Sequence, residues 1–120
     1  MRYKSTRGKT KGVAFKDAVM MGLARDGGLL IPETIPDLSG VMADWQGYSY
    51  VELAFCIMQP FADDLPEEDL RKLIEQSYRS FDHELVAPLV RLDDVNVIEL
   101  FHGPTLAFKD VALQFLGNLF

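Results

Sequence analysis

The last fifteen residues, LAFKDVALQFLGNLF, constrain this chain more than any other stretch. They read as a helix that is apolar almost all round, with Leu106, Phe108, Leu113, Leu116 and Phe120 among its apolar positions. At about 100° per residue, only Asp110, Gln114 and Asn118 fall on one polar line. A helix of this kind belongs inside a larger structure, because apolar surface on several sides needs cover. VNVIELF, residues 95–101, precedes it and reads as a strand, rich in β-branched and large apolar side chains. HGPT, residues 102–105, is the turn between them, with Thr105 as candidate N-cap. Strand, loop and helix in this order make the first half of a βαβ unit. With no second strand to complete it, the expectation is the N-terminal piece of a longer protein. The exposed last helix is expected to promote self-association.

Upstream, residues 2–5 suit a short strand followed by a turn at Gly8. Phe15, Ala18, Val19, Gly22 and Leu23 repeat at helical spacing, and the paired glycines of DGG, residues 26–28, are expected to end that helix. Pro32 and Pro36 keep the next segment extended or looped. Ser49 is a plausible N-cap for a helix through Val51, Ala54, Phe55 and Met58. Pro66 opens another helix, whose apolar stripe is Leu70, Leu73, Ile74 and Tyr78. The acidic first turn there, Glu67 to Asp69, suits the helix dipole and is read as helix chemistry rather than a metal site. Short extended pieces follow around Pro88. The architecture expected is α+β, several helices packed over a few short strands.

The net charge of −6 argues against a general nucleic-acid binder, although residues 1–16 hold six of the twelve basic side chains. The single cysteine, Cys56, excludes an internal disulfide and a cysteine-rich zinc site, and no metal site is expected. No run of about 18 apolar residues points to a membrane span, so a cytoplasmic protein is the default expectation.

Lys109 is the anomaly. It lies off the polar line of the last helix, in the row of Leu113, Leu116 and Phe120, and near the helix start. There the macrodipole disfavours a cation by about 0.3–1 kcal/mol. Burial and the dipole would both favour the neutral amine, which is the form that reacts with an aldehyde. The other reading is a lysine whose stem lies on apolar neighbours while its head reaches water.

ELFHGPTLAFKD closely resembles the segment around the pyridoxal-phosphate lysine of the threonine synthase family. YKSTRG at residues 3–8, FKDAVMMGLARDGGLLIPE at 15–33 and SYVELAFCIMQPF at 49–61 resemble that family's N-terminal domain in the same order. The resemblance covers essentially the whole chain. It implies an N-terminal domain over 1–82, and over 83–120 the start of an α/β, tryptophan-synthase-β-like (fold type II) cofactor domain. The activity implied is conversion of O-phospho-L-homoserine and water to L-threonine and phosphate. By residue match, Lys109 would carry pyridoxal 5'-phosphate through a Schiff base and then move protons at Cα and Cβ of the substrate. Phe108 would flank the cofactor ring or serve as a core aromatic, and Asp110 would orient Lys109 or a loop. His102 would approach the substrate or bond to backbone. Ser5, Thr6 and Arg7 would face the substrate phosphate or form a solvated basic terminus. The cofactor-phosphate loop and the pyridine-nitrogen partner of the family lie later in its sequence, so no turnover is expected of these 120 residues alone. A related phospholyase and a non-catalytic packing domain are the alternatives.

Overall fold

A computed structural model describes all residues from Met1 to Phe120. They form two units, Met1–Gln46 with Cys56–Glu67, and Gly47–Phe55 with Glu68–Phe120.

In the first unit β1 (Tyr3–Ser5) pairs antiparallel with β2 (Leu30–Pro32), Tyr3 lying opposite Pro32 and Ser5 opposite Leu30. Val13 bridges to Tyr3, so Tyr3 is buried between neighbours, and its hydroxyl donates to the Phe61 carbonyl at 2.8 Å. The other buried apolar residues here are small: Ala18, Ala24 and Ala62. Helix α1 spans Phe15–Met21 and stops at Gly22, where φ is 66° and the amide reaches the carbonyls of Ala18 and Val19. The expected end at residues 26–28 is therefore too late. Gly22 adopts positive φ without a Cβ penalty, and the helix ends at that first opportunity. Leu23 then pairs with Leu29, and DGG is the tip of a tight turn closed by the Gly27 amide on the Ala24 carbonyl.

A 3₁₀ turn at Met42–Trp45 leads to α2 (Tyr50–Met58), whose residues 50–55 belong to the second unit. Ser49 and Glu52 form a reciprocal cap: the Ser49 amide donates to the Glu52 carboxylate at 2.7 Å, and the Glu52 amide to the Ser49 hydroxyl at 3.3 Å. Helix α3 (Glu67–Tyr78) buries Leu70, Ile74 and Tyr78 of the expected stripe, the first two at 0 % exposure, while Leu73 is half-buried and Ser77 takes a buried place instead. Tyr78 meets the rings of Tyr50 and Phe81 edge-on at 4.9 and 5.6 Å. The Arg71 guanidinium lies 3.4 Å over the Phe55 ring.

β3 (Leu89–Leu92) and β4 (Val95–Ile98) make an antiparallel hairpin, turning through Asp93 at φ 50°. The strand expected over 95–101 ends at Ile98. Helix α4 runs Asp110–Leu119, so Thr105 is not its N-cap. Leu106, at φ 59°, breaks helical continuity after the turn, and the helix starts only beyond it.

The polar line of α4 turns inward at its head, with Asp110 buried, Gln114 half-buried and Asn118 exposed. Asp110 is 2 % exposed, and Asn118 Nδ2 donates to Ser77 Oγ at 3.0 Å. Ser77 in turn donates to the Leu73 carbonyl at 2.6 Å, and the Tyr78 hydroxyl to the Val111 carbonyl at 3.0 Å. Of the apolar side chains on α4 only Phe115 is buried, while Leu113, Leu116 and Phe120 are exposed. No helix is long and apolar enough to cross a membrane.

Candidate active site

The segment joining β4 to α4 is braced at both ends. At its start, the Asp82 amide donates to the His102 carbonyl at 3.0 Å. The His102 ring has Glu99 on Nε2 at 2.7 Å and Asp82 on Nδ1 at 2.8 Å. Two carboxylates on one ring call for a donor on each nitrogen, the form of imidazolium. The Glu99 hydrogen bond, opposed by burial and supported by Asp82, raises the His102 pKa above its ordinary value. Both ring nitrogens thus bond to carboxylates, where the sequence suggested backbone or substrate.

At the other end stands Asp110. Its Oδ2 accepts the Thr105 amide at 2.8 Å, and its Oδ1 accepts the Thr105 hydroxyl at 2.9 Å and the Gln114 side-chain amide at 3.3 Å. Burial pushes the carboxyl pKa up, but these hydrogen bonds outweigh it and the net shift is downward. Both oxygens are engaged within the chain. Gly103 is buried against this carboxylate, and a Cβ there would collide with Asp110.

Between the braces the chain turns outward. Leu106 and Phe108 are 69 % and 66 % exposed, so Phe108 joins no core within these 120 residues. Lys109 occupies the N-cap position of α4 in helical conformation, φ −65° and ψ −22°, and is exposed. No ion pair engages its ammonium. The burial inferred from its apolar row is absent, because that face of α4 points outward. The position gives the amine access to solvent rather than desolvation.

The three remaining candidates lie in the first unit. Ser5 is buried; its hydroxyl donates to Asp26 at 2.6 Å and accepts the Arg7 amide at 3.0 Å. Thr6 Oγ1 accepts the Leu29 amide at 3.0 Å. Arg7 Nη1 donates to the Asp26 carbonyl at 3.0 Å, leaving the rest of its exposed guanidinium free. With Lys9, Thr10, Arg25 and Asp26 it lines an open concavity of about 490 Å³. Ser5 and Thr6 thus brace this loop, and Arg7 keeps unused donors. Asp26, which the sequence reading passed over, organises this loop. Its carboxyl is held below the ordinary range, first by the Ser5 hydroxyl and then by the amides of Gly28 and Lys9.

A family model described as the threonine synthase N terminus matches residues 2–78. The chain belongs to the threonine synthase family. It is 50 % identical over 122 residues to a threonine synthase of Pseudomonas aeruginosa, an alignment covering 99 % of this chain and 26 % of the relative. Identity is also 50 % over 122 residues to the threonine synthase of Schizosaccharomyces pombe, covering 98 % of this chain and 24 % of that one. The crystal structure of threonine synthase from Brucella melitensis with bound pyridoxal phosphate aligns with 99 % of the chain and 26 % of its own, at TM-score 0.94 and 43 % identity. The mixed helix and strand content is thus that of the N-terminal region of these enzymes. The chain spans about a quarter of the length of these relatives.

Proposed function

We propose that this chain is the N-terminal part of a threonine synthase and that Lys109 is its anchor for pyridoxal 5'-phosphate. The observation that carries the reading is an exposed, unpaired primary amine at the head of α4, on a segment braced by His102 on one side and Asp110 on the other. These residues fit an aldehyde cofactor at the point of attachment, since the amine is accessible and Phe108 stands exposed beside it. When bound, the cofactor supplies an electron sink for removal and return of protons on an amino-acid substrate.

On this reading the substrate is O-phospho-L-homoserine, which with water gives L-threonine and phosphate. Lys109 holds the cofactor and afterwards moves protons at Cα and Cβ of the substrate. Arg7 is the first unit's donor toward an anionic group, with Ser5 and Thr6 holding its loop in shape. His102 holds the turn that leads to Lys109. Residues 1–82 are the N-terminal domain and 83–120 open the fold type II cofactor domain of a cytoplasmic enzyme. The 120 residues alone are expected to give no turnover.

Trapping tests the reading. Pyridoxal phosphate is added, imines are reduced with borohydride, and pyridoxyl-lysine is located by peptide mass mapping. Lys109 is expected to be labelled ahead of Lys4, Lys9, Lys11, Lys16 and Lys72. Even labelling of all six lysines, both here and in a chain extended to the length of the relatives, would sink it.

A further inference from the structure

We infer that Asp110 is a positioning residue for Lys109, its buried carboxylate stapling the 103–105 turn to the head of α4 and so fixing the direction in which Lys109 leaves the chain. The inference rests on the reading of Lys109 given above.

Burial is the first argument. An aspartate in the first turn of a helix gains from the dipole while fully solvated, so nothing about the helix alone requires it to be buried. Asp110 is nevertheless 2 % exposed. Removing a carboxylate from water is costly unless donors replace the water. Three donors do so, and two of them, the amide and the hydroxyl, come from Thr105. The burial therefore serves the joint between loop and helix.

Shape supplies the second argument. Gly103 packs so closely on the Asp110 side chain that a methyl group would not fit. Leu106 is held at φ 59°, a conformation costly for a side chain bearing a Cβ. A turn containing that conformation needs an outside restraint, and the Thr105–Asp110 pair closes it.

Geometry at Lys109 completes the case. The Lys109 carbonyl accepts the amides of Ala112 and Leu113 at 3.1 and 2.8 Å, which ties its backbone to α4 from the C-terminal side. The Asp110 side chain ties the turn on the N-terminal side. Neighbouring side chains on a helix diverge by about 100°, so pinning Asp110 inward aims Lys109 outward. The polar row below extends the grip: Gln114 donates to Asp110, and Asn118 donates to the Gln114 carbonyl and to Ser77 of α3.

Asp110→Asn and Thr105→Val, each in the 120-residue chain, test the inference. Three readouts are taken: amide hydrogen exchange, the Lys109-to-Lys72 labelling ratio with pyridoxal phosphate and borohydride, and the same ratio with acetic anhydride. Lys72 is the reference because it is exposed on α3 and remote in sequence from the staple. Asp110→Asn is expected to speed exchange of the Thr105 amide about tenfold, the scale of one hydrogen bond to a charged group, while α3 amides keep their protection. Both labelling ratios are expected to change by several-fold, with Thr105→Val giving a smaller change in the same direction because the Thr105 amide remains. Faster Thr105 exchange with unchanged acetic anhydride ratios overturns the inference. So does faster exchange throughout the chain in Asp110→Asn combined with parental ratios in Thr105→Val, which makes Asp110 a residue of stability alone. Absence of pyridoxal-phosphate preference for Lys109 in the parent counts against the cofactor reading only. The acetic anhydride ratio then decides the role of Asp110.

Discussion

At the scale of single residues, this chain places ionisable groups where protonation decides a contact. His102 carries a carboxylate on each ring nitrogen, and its folded pKa is raised, first by the Glu99 hydrogen bond. The contribution to stability is complete below the unfolded value near 6.5 and is lost as pH rises through the folded one. Urea midpoints are expected to fall as pH is raised above neutrality, and His102→Gln is expected to flatten that dependence. A wild-type slope that persists in His102→Gln refutes the assignment. Asp26 and Asp110 have the opposite sign, because their folded pKa values are lowered. What they contribute is present above the ordinary aspartate value of 3.8 and is lost as pH falls through the folded one. Lys109 was legible in the sequence because a cation amid apolar residues is anomalous. Its exposure was not, since that depends on which face of α4 turns inward. The partners of His102 were hidden too: Asp82 stands 20 residues away, and only the fold brings it near.

At the scale of elements, caps and stripes made α2 and α3 readable. Ser49 and Glu52 are three residues apart, and Leu70, Ile74, Ser77 and Tyr78 follow the turn of the helix into the core. The two devices differ in size. Ser49→Ala is expected to cost about 1 kcal/mol and Leu70→Ala about 2–5 kcal/mol, because the second leaves a cavity at a site of 0 % exposure. Urea unfolding of the two variants checks the order, and equal costs would mean that the core around Leu70 collapses to fill the gap. Where reading failed, the backbone overrode the side-chain pattern. Apolar spacing continues across Gly22, but its φ of 66° ends α1. TLAF looks helical, but Leu106 at φ 59° defers the start of α4 to Asp110. The β3–β4 hairpin escaped notice because its turn is a pair of aspartates, Asp93 and Asp94, without the glycine that usually signals one.

At the scale of the whole molecule, the main feature is apolar surface left open to water. Leu89, Leu92, Val95 and Ile98 of the hairpin are 62 %, 55 %, 58 % and 58 % exposed, and the outward residues of α4 add to them. The 120-residue chain is expected to bind an apolar dye and to sediment above monomer mass. Leu116→Glu with Phe120→Glu is expected to reduce both signals. A monodisperse, dye-silent monomer would contradict this. The sequence showed that α4 needs cover, because its apolar residues outnumber what one face can hold. It did not show which face this chain covers, because the answer depends on Ser77 and Tyr78 of α3. That inversion reverses the usual map of mutational tolerance. Within this helix the two buried positions, polar Asp110 and apolar Phe115, are where change is least forgiven. Leu113 and Leu116, which hydropathy alone would assign to a core, are exposed and open to exchange. Whoever redesigns this helix for solubility should leave Asp110 and Phe115 alone and rewrite Leu113, Leu116 and Phe120.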